Sequence, residues 1–142
     1  MLPLIETQPA RQDIDFLEDQ INAYNLAQTG IAFGGLLACF IRDTESQIVA
    51  GLFGWTWGGC CEIRTLWVQA DLRGQGYGTQ LLQTAEQEAM RRGCSQVVLD
   101  THSFQAPEFY RQRGYEVVGV VDGYPQQHQK LYLKKRLGLS AT

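Results

Sequence analysis

The spacing of apolar residues changes period several times along this chain. Between Asp13 and Gln28 they fall at Ile14, Leu17, Ile21 and Tyr24, which is one face of a helix. Asp13 predicts the N-cap, Asp15, Glu18 and Asp19 suit the positive end of the helix, and Thr29-Gly30 stops it. Ahead of it, Leu2 to Thr7 predicts a short first strand. Gly34 to Arg42 and Ile48 to Trp57 are β-like stretches joined by the polar turn Asp43-Thr44-Glu45-Ser46, a hairpin signal. Gly58-Gly59 then turns the chain into a third strand, Glu62 to Val68. Three such strands in succession predict an antiparallel meander.

Past Gly78 the period becomes helical again. Leu81, Leu82, Ala85, Ala89 and Met90 mark the buried face of a helix from Thr79 to Arg92, and Arg91-Arg92-Gly93 is a stop signal. Gln96 to Thr101 follows as a strand with an apolar centre, Val97-Val98-Leu99. A strand–helix–strand unit of this kind predicts parallel pairing with a right-handed crossover. Pro107 suits the first turn of a short helix to Arg113, ended by Gly114. Tyr115 to Val121 and Gln129 to Lys135 are the last strands, separated by a turn at Asp122-Gly123 and Pro125, with Leu131 and Leu133 on one face. The predicted order is β-α-β-β-β-α-β-α-β-β. It describes an α/β protein with a mixed, largely antiparallel sheet, in a single domain over residues 1–142.

Composition narrows the class. With 142 residues, 44% of them hydrophobic and 19% charged, the chain can bury a core without a metal or disulfide staple. Its net charge of -3 argues against a general nucleic-acid binder. Cys39, Cys60, Cys61 and Cys94 form no C-x-x-C pair, so no metal site is expected and the thiols read as reduced and mostly buried. The apolar run Ile31 to Ile41 is too short to cross a membrane and is interrupted by Gly34-Gly35. The start, Met1-Leu2-Pro3-Leu4, lacks the regions of a signal peptide, and a cytoplasmic location follows as the expectation.

The chemistry concentrates in Arg73-Gly74-Gln75-Gly76-Tyr77-Gly78, between a strand and a helix. Its glycines let several backbone N–H groups converge, and the helix adds unpaired first-turn donors and the positive end of its dipole. Such a turn binds anions, phosphates above all. A turn without a ligand is the plain alternative. A dinucleotide fingerprint, G-x-G-x-x-G, fits less well, because Thr79 stands where its last glycine belongs and a meander precedes the loop. No G-K-S/T is present, which excludes a P-loop.

Two segments together resemble the GNAT superfamily of N-acetyltransferases. Arg73 to Gly78 matches its pattern Q/R-x-x-G-x-G/A, and Ala106 to Tyr115 matches its second signature, A-x-x-F/L-Y-x-x-x-G-F/Y. Leu99 to Tyr110 looks like a small bacterial-type branch of that superfamily. The resemblance implies acetyl-coenzyme A as co-substrate, no metal, and a cleft where the strand before the loop splays from the next. It implies a diphosphate held by the backbone of Arg73, Gly74, Gln75, Gly76, Tyr77, Gly78 and Thr79, and a pantetheine arm along Leu66, Trp67 and Val68. The Val68 N–H would stabilise the oxyanion, Tyr110 would protonate the departing thiolate, and Phe109 would lie beside the donor. Ser103 stands where many members place Asn, and its hydroxyl is a candidate donor contact.

Other residues carry two readings. Tyr110 and Phe109 could be plain core. Glu62 is either a base acting through water, as in some members, or an exposed strand-end acid. Trp55, Trp57 and a facing Tyr24 could wall an acceptor pocket, or be core. Asp100 reads as a local cap or a substrate contact, and His128, Lys130 and Lys134-Lys135-Arg136 as solvated surface. The expected reaction is transfer of acetyl to a primary amine of a small molecule or peptide in a ternary complex. A non-catalytic acyl-coenzyme A-binding module of the same fold is the alternative. Neither nucleic acid nor membrane is an expected partner, and the resemblance allows a homodimer.

Overall fold

The computed structural model describes residues 1–138. They fall into two compact units, Met1–Phe33 and the chain from Gly34 onward.

The first unit is one helix, α1 (Arg11–Thr29), preceded by irregular chain. Ala10 takes the cap position without a side-chain bond, and its carbonyl accepts from the Asp13 N–H at 3.0 Å. The expected cap, Asp13, is therefore inside the first turn, where its charge suits the dipole. Gly30, at φ 71°, closes the helix as expected. The expected strand Leu2–Thr7 does not form. Pro3 lacks an N–H, no strand pairs with this stretch, and Leu2, Leu4 and Ile5 are exposed. The apolar stripe of α1 is present in sequence, yet no residue of the helix is buried.

The second unit is a six-stranded sheet with helices α2 (Tyr77–Arg91) and α3 (Pro107–Arg111). Its strands are β1 (Gly35–Arg42), β2 (Ile48–Trp57), β3 (Cys60–Val68), β4 (Gln96–His102), β5 (Glu116–Val121) and β6 (Lys130–Arg136). They lie in the order β1-β2-β3-β4-β6-β5. Only β3 and β4 run parallel, as the intervening helix predicts. The meander β1–β3 forms as its turn residues direct.

Helix α2 packs against β1, β2 and β3. It buries Leu81, Leu82, Ala85 and Ala89 against Leu37, Leu52, Ile63 and Val97 of the sheet. Each such side chain, removed from water, is worth ~1.5–3 kcal/mol. Two positions differ from the periodicity. Met90 is 43% exposed, and Glu86 is buried instead. Glu86 accepts from Lys135 Nζ at 3.0 and 3.1 Å and from the Tyr115 hydroxyl at 3.1 Å, so its charge is paired and bonded.

Candidate active site

The site begins with a strand that changes partners. β3 pairs with β4 only from Cys60↔Gln96 to Ile63↔Leu99, and beyond that the two separate. Its ladder with β2 continues to Val68 but slips at one point, where Phe53 and Gly54 face Thr65 and Ile63 and leave Arg64 as the extra residue of a bulge. Gly54 makes this possible, since a Cβ there would stand 2.0 Å from the Glu62 carbonyl oxygen. The bulge and the separation coincide, which opens a cleft of about 840 Å³ between the strands.

Alternation decides which backbone groups face that cleft. Gln69 donates to Val49 O at 2.8 Å, which makes Val68↔Ala50 a pair whose own N–H and C=O point away from β2. Two residues back, Leu66 shares that orientation, whereas Trp67 bonds to β2. Leu66 and Val68 thus offer main-chain groups to the cleft, and Trp67 offers its side chain. Arg73 Nε donates to Val68 O at 2.9 Å, which folds the arginine over the rim.

The glycine loop forms the outer end. Gly74 and Gly76 have φ of 76° and 90°, and open space lies where a Cβ would be. None of the backbone N–H groups from Gly74 to Thr79 donates to an acceptor among the described residues. The first turn of α2 holds no acidic residue. Unsatisfied donors at a helix mouth lined by glycine, with Arg73 beside them, have the chemistry to bind an anion.

Helix α3 supplies the opposite wall. Tyr110 is buried, lines the cleft, and its hydroxyl has no hydrogen-bond partner among the described residues. Burial, then the Asp100 charge, holds its phenol above the ordinary value of 10. Phe109 seats its ring against Gly78, where an added Cβ would come to 3.2 Å. Arg113 joins the two helices. Its guanidinium lies 3.9 Å over the Phe109 ring, donates to Phe109 O at 2.7 Å, and binds Thr79 Oγ1 through Nε at 2.9 Å and Nη2 at 2.6 Å. This clamp fixes the tyrosine-bearing helix to the glycine turn.

Most expected site residues meet in this one cleft: Leu66, Trp67, Val68, Arg73, Gly74, Gly76, Tyr77, Gly78, Thr79, Phe109 and Tyr110 all line it. Three stand outside the lining. Gln75 turns its side chain to Asp71 O at 3.2 Å, though its backbone belongs to the loop. Glu62 is exposed at the start of β3. Ser103 is tied elsewhere, its hydroxyl 3.1 Å from His128 Nδ1 and accepting from the Gln129 N–H at 2.9 Å, so it anchors the turn before β6. Trp55 and Trp57 also lie outside the lining.

Arg64, Phe104, Gln105 and Arg113 are among the lining residues to which the sequence pattern gave no role. Gly54, isolated inside a strand, was the available signal for the bulge at Arg64. Gln105 Oε1 accepts from the His102 N–H at 2.7 Å and closes the turn that carries Phe104.

The thiols are not part of this machinery. All four cysteines are free, and none lines the cleft. Cys61 is pushed up to about 12, chiefly by burial, which leaves it a poor nucleophile. Among the described residues no cluster of His, Cys, Asp and Glu could hold a metal ion, and no helix is long and apolar enough to cross a membrane.

Comparison with known proteins places this architecture among the acetyltransferases. The profile of the acetyltransferase (GNAT) family matches residues 6–115. Acetyltransferase Atu2258 of Agrobacterium fabrum is 32% identical over 120 residues, covering 84% of this chain and 88% of its own. Blasticidin-S acetyltransferase of Streptomyces morookaense is 36% identical over 92 residues, 62% of this chain and 65% of that one. The crystal structure of an acetyltransferase from Bacillus cereus aligns with a TM-score of 0.75 at 31% identity, over 95% of this chain and 98% of that one. The chain belongs to the acetyltransferase (GNAT) family.

Proposed function

We propose that the protein transfers an acetyl group from acetyl-coenzyme A to an amine of a small molecule, by direct attack with both substrates bound. The unused N–H groups from Gly74 to Thr79 carry this reading. They fit a diphosphate, and a diphosphate there directs the rest of the donor along the free edge of β3. A relative named for blasticidin S supports a small-molecule acceptor.

The acetyl thioester supplies an activated acyl carbon, and the chain's residues do the rest. Val68 was the residue expected to polarise the carbonyl. It stands at the loop end of the edge with its own carbonyl held by Arg73. Leu66 is the next cleft-facing position inward, farther from the phosphates. Its N–H takes the carbonyl oxygen, and that of Val68 takes the pantetheine arm. A donor aimed at developing negative charge is worth roughly 3–4 kcal/mol.

The acceptor nitrogen forms its bond to the acyl carbon as the carbon–sulfur bond breaks. Tyr110 gives its proton to the departing sulfur and regains one from solvent. The nitrogen loses its proton to water, because Glu62 lies outside the cleft lining. The cytoplasm, with its reducing milieu, suits the free thiols.

Calorimetry with coenzyme A and thiol-release kinetics test this. Tyr110→Phe should lower kcat ~10²–10⁴-fold, with donor affinity within about twofold of the parent. Failure of the protein to bind coenzyme A would refute the reading. Binding without turnover of any amine would make the protein a binding module.

A further inference from the structure

The separating strands bring opposite charges face to face without joining them. Ile63↔Leu99 is the last pair of the β3–β4 ladder, so Arg64 and Asp100 occupy the next facing positions. Both line the cleft. In a continuous parallel ladder, neighbouring strands ~4.8 Å apart would let such a pair form an ion bridge. Here they do not. The Asp100 carboxylate lies 3.6 Å from Lys130 Nζ, and Arg64 has no ion-pair or hydrogen-bond partner for its guanidinium among the described residues. The bulge is what sets Arg64 there, since it is the residue the β2 ladder leaves out.

Arg64 is badly placed to serve the donor's phosphates. It stands four residues before Val68, about 13 Å along the strand at ~3.3 Å per residue, and the phosphate-binding turn lies beyond that. Its position is the end of the cleft where the strands part, away from that turn, and it is exposed there. A guanidinium with all its donors unclaimed is a carboxylate receptor. The carboxylate of Asp100 lies close enough to Tyr110 to act on its phenol, and it can accept hydrogen bonds from an amine poised for transfer. The walls between add apolar surface, with Trp67 at 45% and Phe104 at 58% exposure.

We propose that the acceptor is an α-amino acid with an apolar or aromatic side chain. Arg64 holds its carboxylate, and Asp100 orients its amino group toward the thioester. This inference rests on the acetyl-transfer reading and names the substrate class of that same cleft.

The test compares L-phenylalanine with phenethylamine, which lacks only the carboxylate, as acceptors for the full-length protein. Apolar amino acids and their decarboxylated amines extend the series. Phenylalanine should be preferred in kcat/KM by ~10-fold or more, the worth of a charge-assisted hydrogen bond. Arg64→Gln should bring that preference toward one, and Arg64→Lys should restore part of it. Donor affinity, measured separately by calorimetry, should stay within about twofold, which shows that the variant is folded. Equal or better use of the decarboxylated amines would overturn the proposal, as would a preference indifferent to Arg64→Gln. If amines of other classes are acetylated and no amino acid is, the substrate class is wrong but the acetyl-transfer reading stands. If coenzyme A does not bind, that reading fails, and this one with it.

Discussion

The two halves of the β3–β4 pair are made of similar residues and do opposite things. From Cys60 to Ile63 the strand is laddered on both sides, to β2 and to β4, and Cys61 and Ile63 are 1% and 4% exposed. From Thr65 to Val68 it keeps only the β2 ladder, and Leu66 and Val68 are left with main-chain groups facing a cleft. The first half satisfies every donor internally and contributes stability. The second withholds partners from its donors, which stabilises nothing until a ligand arrives. One inserted residue separates the two behaviours.

The comparison is sharpest if each half is damaged separately. Leu133 is 1% exposed and pairs with Leu99 behind the closed half. Leu133→Ala should cost about 2–5 kcal/mol of stability, read as a lower denaturant midpoint. The donor dissociation constant of the folded fraction should stay within about twofold. A large change in donor affinity would mean that the halves are not independent.

The open half should show the converse. Gly76→Asp sets a side chain and a negative charge into the free space at φ 90°, where the diphosphate is proposed to lie. Donor affinity should fall at least ~100-fold, or about 3 kcal/mol. The strained backbone should cost only ~1–3 kcal/mol of stability. Unchanged calorimetric affinity would remove the loop from the site.

How much of this was readable in sequence follows the same division. The strands from Gly34 onward and α2 appear within two residues of their expected bounds, because side-chain period and turn residues are local, whereas the expected strand Leu2–Thr7 found no partner. The glycine turn was legible because glycines and a following helix are also local. The splaying of β3 from β4 was expected through the family resemblance alone, and its onset at Ile63 was not legible, because it depends on which residue of β2 faces which residue of β3. The bonding of Ser103 was not legible for a related reason. Its hydroxyl answers to Gln129 and His128, more than twenty residues away. The burial of Glu86 was not legible either, because its partners, Lys135 and Tyr115, come from other elements.

The smallest expected effect concerns the Asp100 charge, where the strands part. In the proposed mechanism Tyr110 is the acid, so kcat should fall when its phenol ionises. Burial and the Asp100 carboxylate both disfavour that ionisation, and the alkaline limb of kcat should lie above pH 10, the ordinary phenol value. Asp100→Asn removes the charge and keeps the shape. Its limb should move to lower pH, and the part caused by burial should remain. Asp100 also touches the proposed acceptor, so the height of the profile will change too. The position of the limb is the quantity to read, because lost acceptor contacts scale the curve without sliding it along the pH axis. If the limb does not move while kcat drops, the carboxylate acts on the acceptor alone, and the electrical link across the open half is absent.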